Sequence, residues 1–127
     1  MKTARNPDSV HPPLAAYSHQ IEVAGAERWL VMAGQVGMSR DGSIPKEPAA
    51  QFDVALENVL RNLSTAGMQA ADLVKLTFYL VDEIPPAERA ELLGRHLGSH
   101  APCSTLVYVP RLARPAFKVE VDAWAAA

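Results

Sequence analysis

A chain of 127 residues has room for one domain, 1–127, and little for a second; its 49% apolar and 20% charged residues are those of a globular protein. Twelve basic and 14 acidic residues give a net charge of −2, which argues against strong electrostatic attraction to nucleic acid or an anionic membrane. The single cysteine, Cys103, excludes an intramolecular disulfide and fits a reducing compartment. No apolar run nears the roughly 20 residues of a membrane span, and residues 1–13 lack the apolar core of a signal peptide, so a cytoplasmic location is expected.

Residues 1–16 are expected to be irregular, because Pro7, Pro12 and Pro13 resist regular structure. Alternation of Ile21 and Val23 with Gln20 and Glu22 predicts a strand over 19–24. After the turn 25–27, the segment 28–37 (RWLVMAGQVG) predicts a second, and the two read as a hairpin. Phe52, Leu56, Val59, Leu60 and Leu63 form an apolar stripe at helical spacing, with Pro48 suited to a first turn and Gly67 to the position just past the C-terminus. Residues 72–82 (DLVKLTFYLVD) alternate as a strand. Pro85 and Pro86 open a shorter helix to about Leu97, weakened by Gly94, and strands near 104–109 and 117–124 close the chain.

The order is β-β-α-β-α-β-β. Two helices cannot cover both faces of such a sheet, so the prediction is an α+β two-layer sandwich with both helices on one face. The strands place apolar groups on both faces, with Leu30 and Met32 opposite Trp29 and Val31, Tyr79 opposite Phe78, and Trp124 beside Glu120 and Asp122. The other face would therefore hold Leu, Met, Tyr and Trp side chains. Leaving such groups in water forgoes about 25 cal/mol per Å² of apolar area, which predicts that further copies of the chain cover them.

Several residues are candidates for chemistry. Ser104 and Thr105 offer hydroxyls at a strand opening, although alone they read as locally satisfied. Cys103 has His100 three residues away, but an isolated cysteine is more often a small buried apolar group than a nucleophile. Glu120 shares a strand face with Lys118 and Asp122; on a solvated face it would do little, whereas under a subunit contact it would need a partner or a role. Tyr17 is either a pocket wall or a packed aromatic. His96 and His100 stand four apart with Gly98 between them, which argues against a metal site. No glycine-rich phosphate loop or HExxH pattern is present.

The motifs YS (17–18), AGQVG (33–37), AAQFDVALENVLRNLSTAG (49–67), DLVKLTFYLVD (72–82), HAP (100–102) and VEVDAWA (119–125), in this order, resemble the Rid (YjgF/UK114) family of imine and enamine deaminases. The resemblance implies a chorismate-mutase-like fold, a homotrimer and ligand clefts between adjacent subunits. It implies hydrolysis of a small reactive imine or enamine to a keto acid and ammonia, with no cofactor and no metal. An arginine would hold the substrate carboxylate, a glutamate would activate water, and a tyrosine would line the pocket. Carried onto this chain, the catalytic candidate is Glu120, and the substrate-binding candidates are Tyr17, Gly34, Cys103, Ser104 and Thr105.

The family's arginine position, two residues after Pro102, holds Ser104 here, and the asparagine common in the second helix falls at Ala90. Arg111 and Arg114 lie at the far end of the strand and in the following turn. A hydroxyl cannot replace a bidentate cation, so the substrate need not carry a carboxylate. The expectation is a Rid-like hydrolase of small reactive imines whose substrate differs from that of the arginine-containing members. The alternative is a non-catalytic metabolite binder or regulator using the same cleft. A ribonuclease role, an old label for some members, is least favoured by the acidic balance and the lack of a basic, aromatic patch.

Overall fold

A computed structural model describes all residues, 1–127. The elements are β1 (Lys2–Arg5), β2 (Gln20–Val23), β3 (Trp29–Val36), α1 (Pro48–Thr65), a single 3₁₀ turn (Ala70–Asp72), β4 (Leu73–Leu80), α2 (Pro86–Leu97), β5 (Cys103–Tyr108) and β6 (Val119–Ala126). They form a mixed α+β fold with two helices and two sheets. β1 and β2 make an antiparallel ribbon, and the main sheet has the order β3-β6-β4-β5, with β4 and β5 parallel and the other pairs antiparallel.

Two expectations for the N-terminal third are corrected. Residues 2–5 are a strand, and β2 pairs with them rather than forming a hairpin with β3. The segment Lys2–Arg5 precedes the first proline and is free to extend. Arg5 then bridges across the ribbon to Gln20 (3.1 Å) and Glu22 (2.9 Å). Lys2 ties the ribbon to the rest of the chain, donating to the Ala126 carbonyl at 2.6 Å and to Asp72 at 3.2 Å. β3 is held instead by the C-terminal strand, whose Ala127 accepts from the Glu27 and Arg28 amides at 3.0 and 2.9 Å.

Helix α1 forms as its stripe predicts, with Phe52, Leu56, Val59 and Leu63 buried. Pro48 is its first residue, where a missing amide hydrogen costs nothing. Beyond its last turn Gly67 adopts φ +71°. Its amide donates to Ser64 (3.0 Å) and that of Met68 to Leu63 (2.8 Å), the paired bonds of a Schellman ending. Met68 and Leu63 are both buried in the core, the apolar contact that accompanies this motif.

Both helices lie on one face of the main sheet. Leu92 and Leu97 of α2 join α1 and the inward residues Leu76, Phe78, Val119, Val121 and Ala123 in one core. Gln51 is buried with them and fully bonded. Its amide donates to the carbonyls of Pro45 (2.8 Å) and Ala116 (2.9 Å), and its oxygen accepts from the Lys118 amide (2.8 Å). It thus staples α1 to both long loops.

The face away from the helices is the unusual one. The expectation that Leu and Met stand on it is corrected: Leu30 and Met32 pack toward the core. Trp29, Val31 and Trp124 are 52%, 57% and 46% exposed on it instead, the two indoles meeting edge to face at 6.4 Å. No helix of the chain is long and apolar enough to cross a membrane.

Candidate functional site

Strand register decides which candidates share a surface. Ser104 stands opposite Leu76 and Leu106 opposite Phe78, so Ser104 and Leu106 face the helices. Cys103 and Thr105 alternate to the other face. There Cys103 lies opposite Lys75, whose ammonium donates to the Thr105 hydroxyl at 2.7 Å. Cys103 and Thr105 therefore lie on the opposite face from Ser104. His100, the candidate base for the thiol, has its ring nitrogen on the Leu73 carbonyl at 2.8 Å.

Ser104 opens into a cavity of about 290 Å³ between α2, the edge strand β5 and the loop before β2. Its floor is apolar, with Phe52 and Phe78 stacked at 5.3 Å between ring centres. Tyr17 forms part of its wall, and the residue that puts it there is Ser18. The buried Ser18 hydroxyl donates to the Ala101 carbonyl at 2.7 Å, fastening the loop to the entry of β5 three residues before Ser104. The Tyr17 phenol oxygen accepts from the Leu14 amide at 3.2 Å, and its ring meets His19 edge-on at 5.5 Å. His19 is itself held to the His11 carbonyl at 2.7 Å. Ala90 lines the same cavity, and so does Arg89, a residue the sequence reading passes over. The Arg89 guanidinium donates to the Tyr108 hydroxyl at 3.2 Å.

Glu120 is elsewhere. It stands opposite Tyr79 of β4 and Val36 of β3, on the helix-free face. Within one chain the sheet separates it from Ser104 and Tyr17. Its neighbour is Gly34, at a break in register between Met32 and Gln35. A Cβ at Gly34 would stand 2.6 Å from the Glu120 Cδ, so only glycine leaves the carboxylate its place. Glu120 makes no hydrogen bond or ion pair within the chain, and Lys118 reaches Asp82 instead, at 3.9 Å. Beside it the Tyr79 phenol donates to Asp122 at 3.1 Å. That hydrogen bond, reinforced by the charges of Asp122 and Glu120, raises the Tyr79 pKa above its usual value.

His96 bonds to Asp53 at 2.6 Å, joining α2 to α1, and no three His, Cys, Asp or Glu residues cluster in a metal-binding arrangement.

The chain pairs two half-sites. One is an apolar cavity with hydroxyls and a guanidinium; the other is a half-buried carboxylate set against a glycine. Comparison with known proteins matches the chain to one family. The profile described as endoribonuclease L-PSP matches residues 8–127. A RutC family protein of Pyrococcus horikoshii is 30% identical over 125 residues, covering 97% of this chain and 96% of that protein. The crystal structure of a conserved Rid family protein, YyfB of Yersinia pestis, superposes with a TM-score of 0.87 at 27% identity, over 99% of this chain and 98% of that one. RidA of an Antarctic Psychrobacter shares the fold at 21% identity, with a TM-score of 0.72 over 98% of this chain and 99% of that one. By sequence and by fold, over nearly its whole length, the chain belongs to the Rid family, the family described as endoribonuclease L-PSP.

Proposed function

We propose that this protein hydrolyses a small reactive imine or enamine in clefts shared between copies of the chain, arranged as a homotrimer. The observation that carries the reading is the division of the site. Tyr17 and Ser104 wall a cavity at the edge strand β5, while an unpaired Glu120 sits against Gly34 on the other face. One chain cannot close Glu120 onto Ser104. In a cyclic assembly the β5 edge of each copy meets the helix-free face of the next, so that Glu120 of one copy faces the cavity of its neighbour. The exposed Trp29, Val31 and Trp124 supply the apolar surface for that contact.

The chemistry asks little of the protein, because an imine carbon is already electrophilic. Glu120 takes a proton from water as the oxygen adds to the imine carbon, and the nitrogen receives a proton as the C=N double bond becomes single. The carbon–nitrogen bond of the resulting carbinolamine then breaks. Ammonia leaves and a carbonyl product remains, for a net consumption of one water. An enamine enters the same route after protonation at carbon. Ser104 and Tyr17 orient the substrate, and the closed cleft supplies proximity.

One observation favours a second reading, a binder without turnover. Within one chain the cavity wall contains no Asp, Glu, His, Lys or Cys. The two readings separate in a single experiment. The α-imino acid formed from leucine by an amino-acid oxidase, and the uncharged imine formed from isoamylamine by an amine oxidase, are presented to the purified protein and ammonia release is followed. Accelerated release from either supports the hydrolase. No acceleration, together with saturable binding of α-ketoisocaproate, supports the binder.

A further inference from the structure

We infer that Arg89 supplies from α2 the positive charge that β5 lacks at Ser104, so that the cavity takes a small α-imino or α-keto carboxylate bearing an apolar side chain. The inference deepens the proposed cleft and rests on that location for the ligand. The sequence offers Arg111 and Arg114 as nearby cations, and neither reaches the cavity. Arg111 borders a separate hollow with Leu112 and Pro115, and Arg114 lies over the Phe117 ring, 5.5 Å from its centre.

Arg89 is the fourth residue of α2, half-buried, and it borders the cavity together with Ser104. No carboxylate lies within 4.0 Å of its guanidinium, although Glu88 and Glu91 are close in sequence and five lysine or arginine ion pairs form elsewhere in the chain. Its one hydrogen bond goes to Tyr108, which leaves most of its five N–H donors unused. Tyr108 belongs to the same strand row as Ser104 and Leu106, because Leu76, Phe78 and Leu80 pair with them in register. The tether therefore holds the guanidinium on the side of the sheet where the Ser104 hydroxyl stands without a partner. A planar cation with free donors beside a free hydroxyl suits a carboxylate. Phe52, Phe78, Leu93 and Leu106 offer the rest of the ligand only apolar contact. The volume of about 290 Å³ is at the bottom of the usual range for drug-sized ligands, which fits a metabolite of a few carbons.

The test is calorimetric binding of α-ketoisocaproate, with isobutyl methyl ketone as its uncharged counterpart, to the wild-type protein, Arg89→Ala and Arg89→Lys. The position is on a helix surface outside the core, and circular dichroism checks that the variants fold. The expected result is preference of the wild type for the keto acid and a loss of at least about tenfold in keto-acid affinity in Arg89→Ala. Arg89→Lys falls between, and ketone binding is the same in all three. Keto-acid binding that is absent from the wild type, no tighter than that of the ketone, or unaltered in Arg89→Ala overturns the inference. Turnover plays no part in this readout. Failure of imine hydrolysis with Arg89-dependent binding intact removes the hydrolase reading alone, and active hydrolysis with Arg89-independent binding removes this inference alone.

Discussion

Ser104 and Glu120 lie on opposite faces of one sheet: Ser104 pairs with Leu76 on the helix side, and Glu120 with Tyr79 on the bare side. Everything proposed about the function follows from the need to bring a cavity and a carboxylate together across that separation.

The first consequence concerns assembly. Trp124 is 46% exposed and meets Trp29 edge-on on the bare face. Replacing it by glutamate would place a charge in the contact, where burial without a partner is costly. Light scattering should show the wild type at three times the 13.7 kDa chain mass and Trp124→Glu at one chain mass, with circular dichroism unchanged. A wild type that runs as a monomer contradicts the assembly.

Gly34→Ala tests the placement of the carboxylate. The new methyl would occupy space held by the Glu120 side chain, which must swing away. Because the obstacle is the end of a flexible side chain, the fold should survive with a melting temperature within a few degrees. Imine hydrolysis should fall by about tenfold or more in kcat, since a misplaced base is a poor one. Full activity in Gly34→Ala would remove Glu120 from the reaction.

Gln51 predicts a large effect on stability without a role in chemistry. Gln51→Leu removes three part-buried hydrogen bonds, to the Pro45 and Ala116 carbonyls and from the Lys118 amide. Each such hydrogen bond contributes about 0.5–1.5 kcal/mol net, so a loss of about 2 kcal/mol is expected. In a chain of this size that lowers the melting temperature by roughly 10 °C. Scanning calorimetry checks it.

The anchor of the N-terminal ribbon should respond to acid. Burial works to raise the Asp72 pKa, but the Gln69 amide and the Lys2 ammonium outweigh it and hold the pKa below its ordinary 3.8. A depressed carboxylate stabilises the fold fully above its unfolded value and loses that contribution as pH falls through the folded value. Asp72→Asn should therefore melt below the wild type at pH 7, and the gap should close as pH falls below about 4. A gap that stays constant with pH contradicts the ion pair.

Much of the fold is legible in the sequence, because α1 carries its stripe, its proline start and its glycine end, and β4 and β6 alternate over most of their length. The ribbon β1–β2 is not. Lys2–Arg5 has no apolar alternation, and its pairing depends on Arg5 and Lys2 reaching partners remote in sequence. The site is legible by residue type and not by arrangement. Strand alternation alone implies that Ser104 and Thr105 cannot share a surface, but only the register of β4 with both neighbours shows that Glu120 is on the far side. Ser18 next to Tyr17 carries a faint signal, as a small polar residue that could fasten the loop. Arg89, within PPAERAELL, reads as ordinary helix surface charge until α2 is packed over β5.

The shared cleft is tested most directly by mixing defects. Glu120→Gln removes the base and Ser104→Trp fills the cavity, and each variant alone should be inactive on the leucine-derived imine. Co-expressed in equal amounts, they should recover about one quarter of wild-type activity, because in randomly assembled rings about one cleft in four combines both intact halves. Recovery near that level is the result expected. Mixed assemblies that stay inactive would show that the carboxylate and the cavity do not meet between copies.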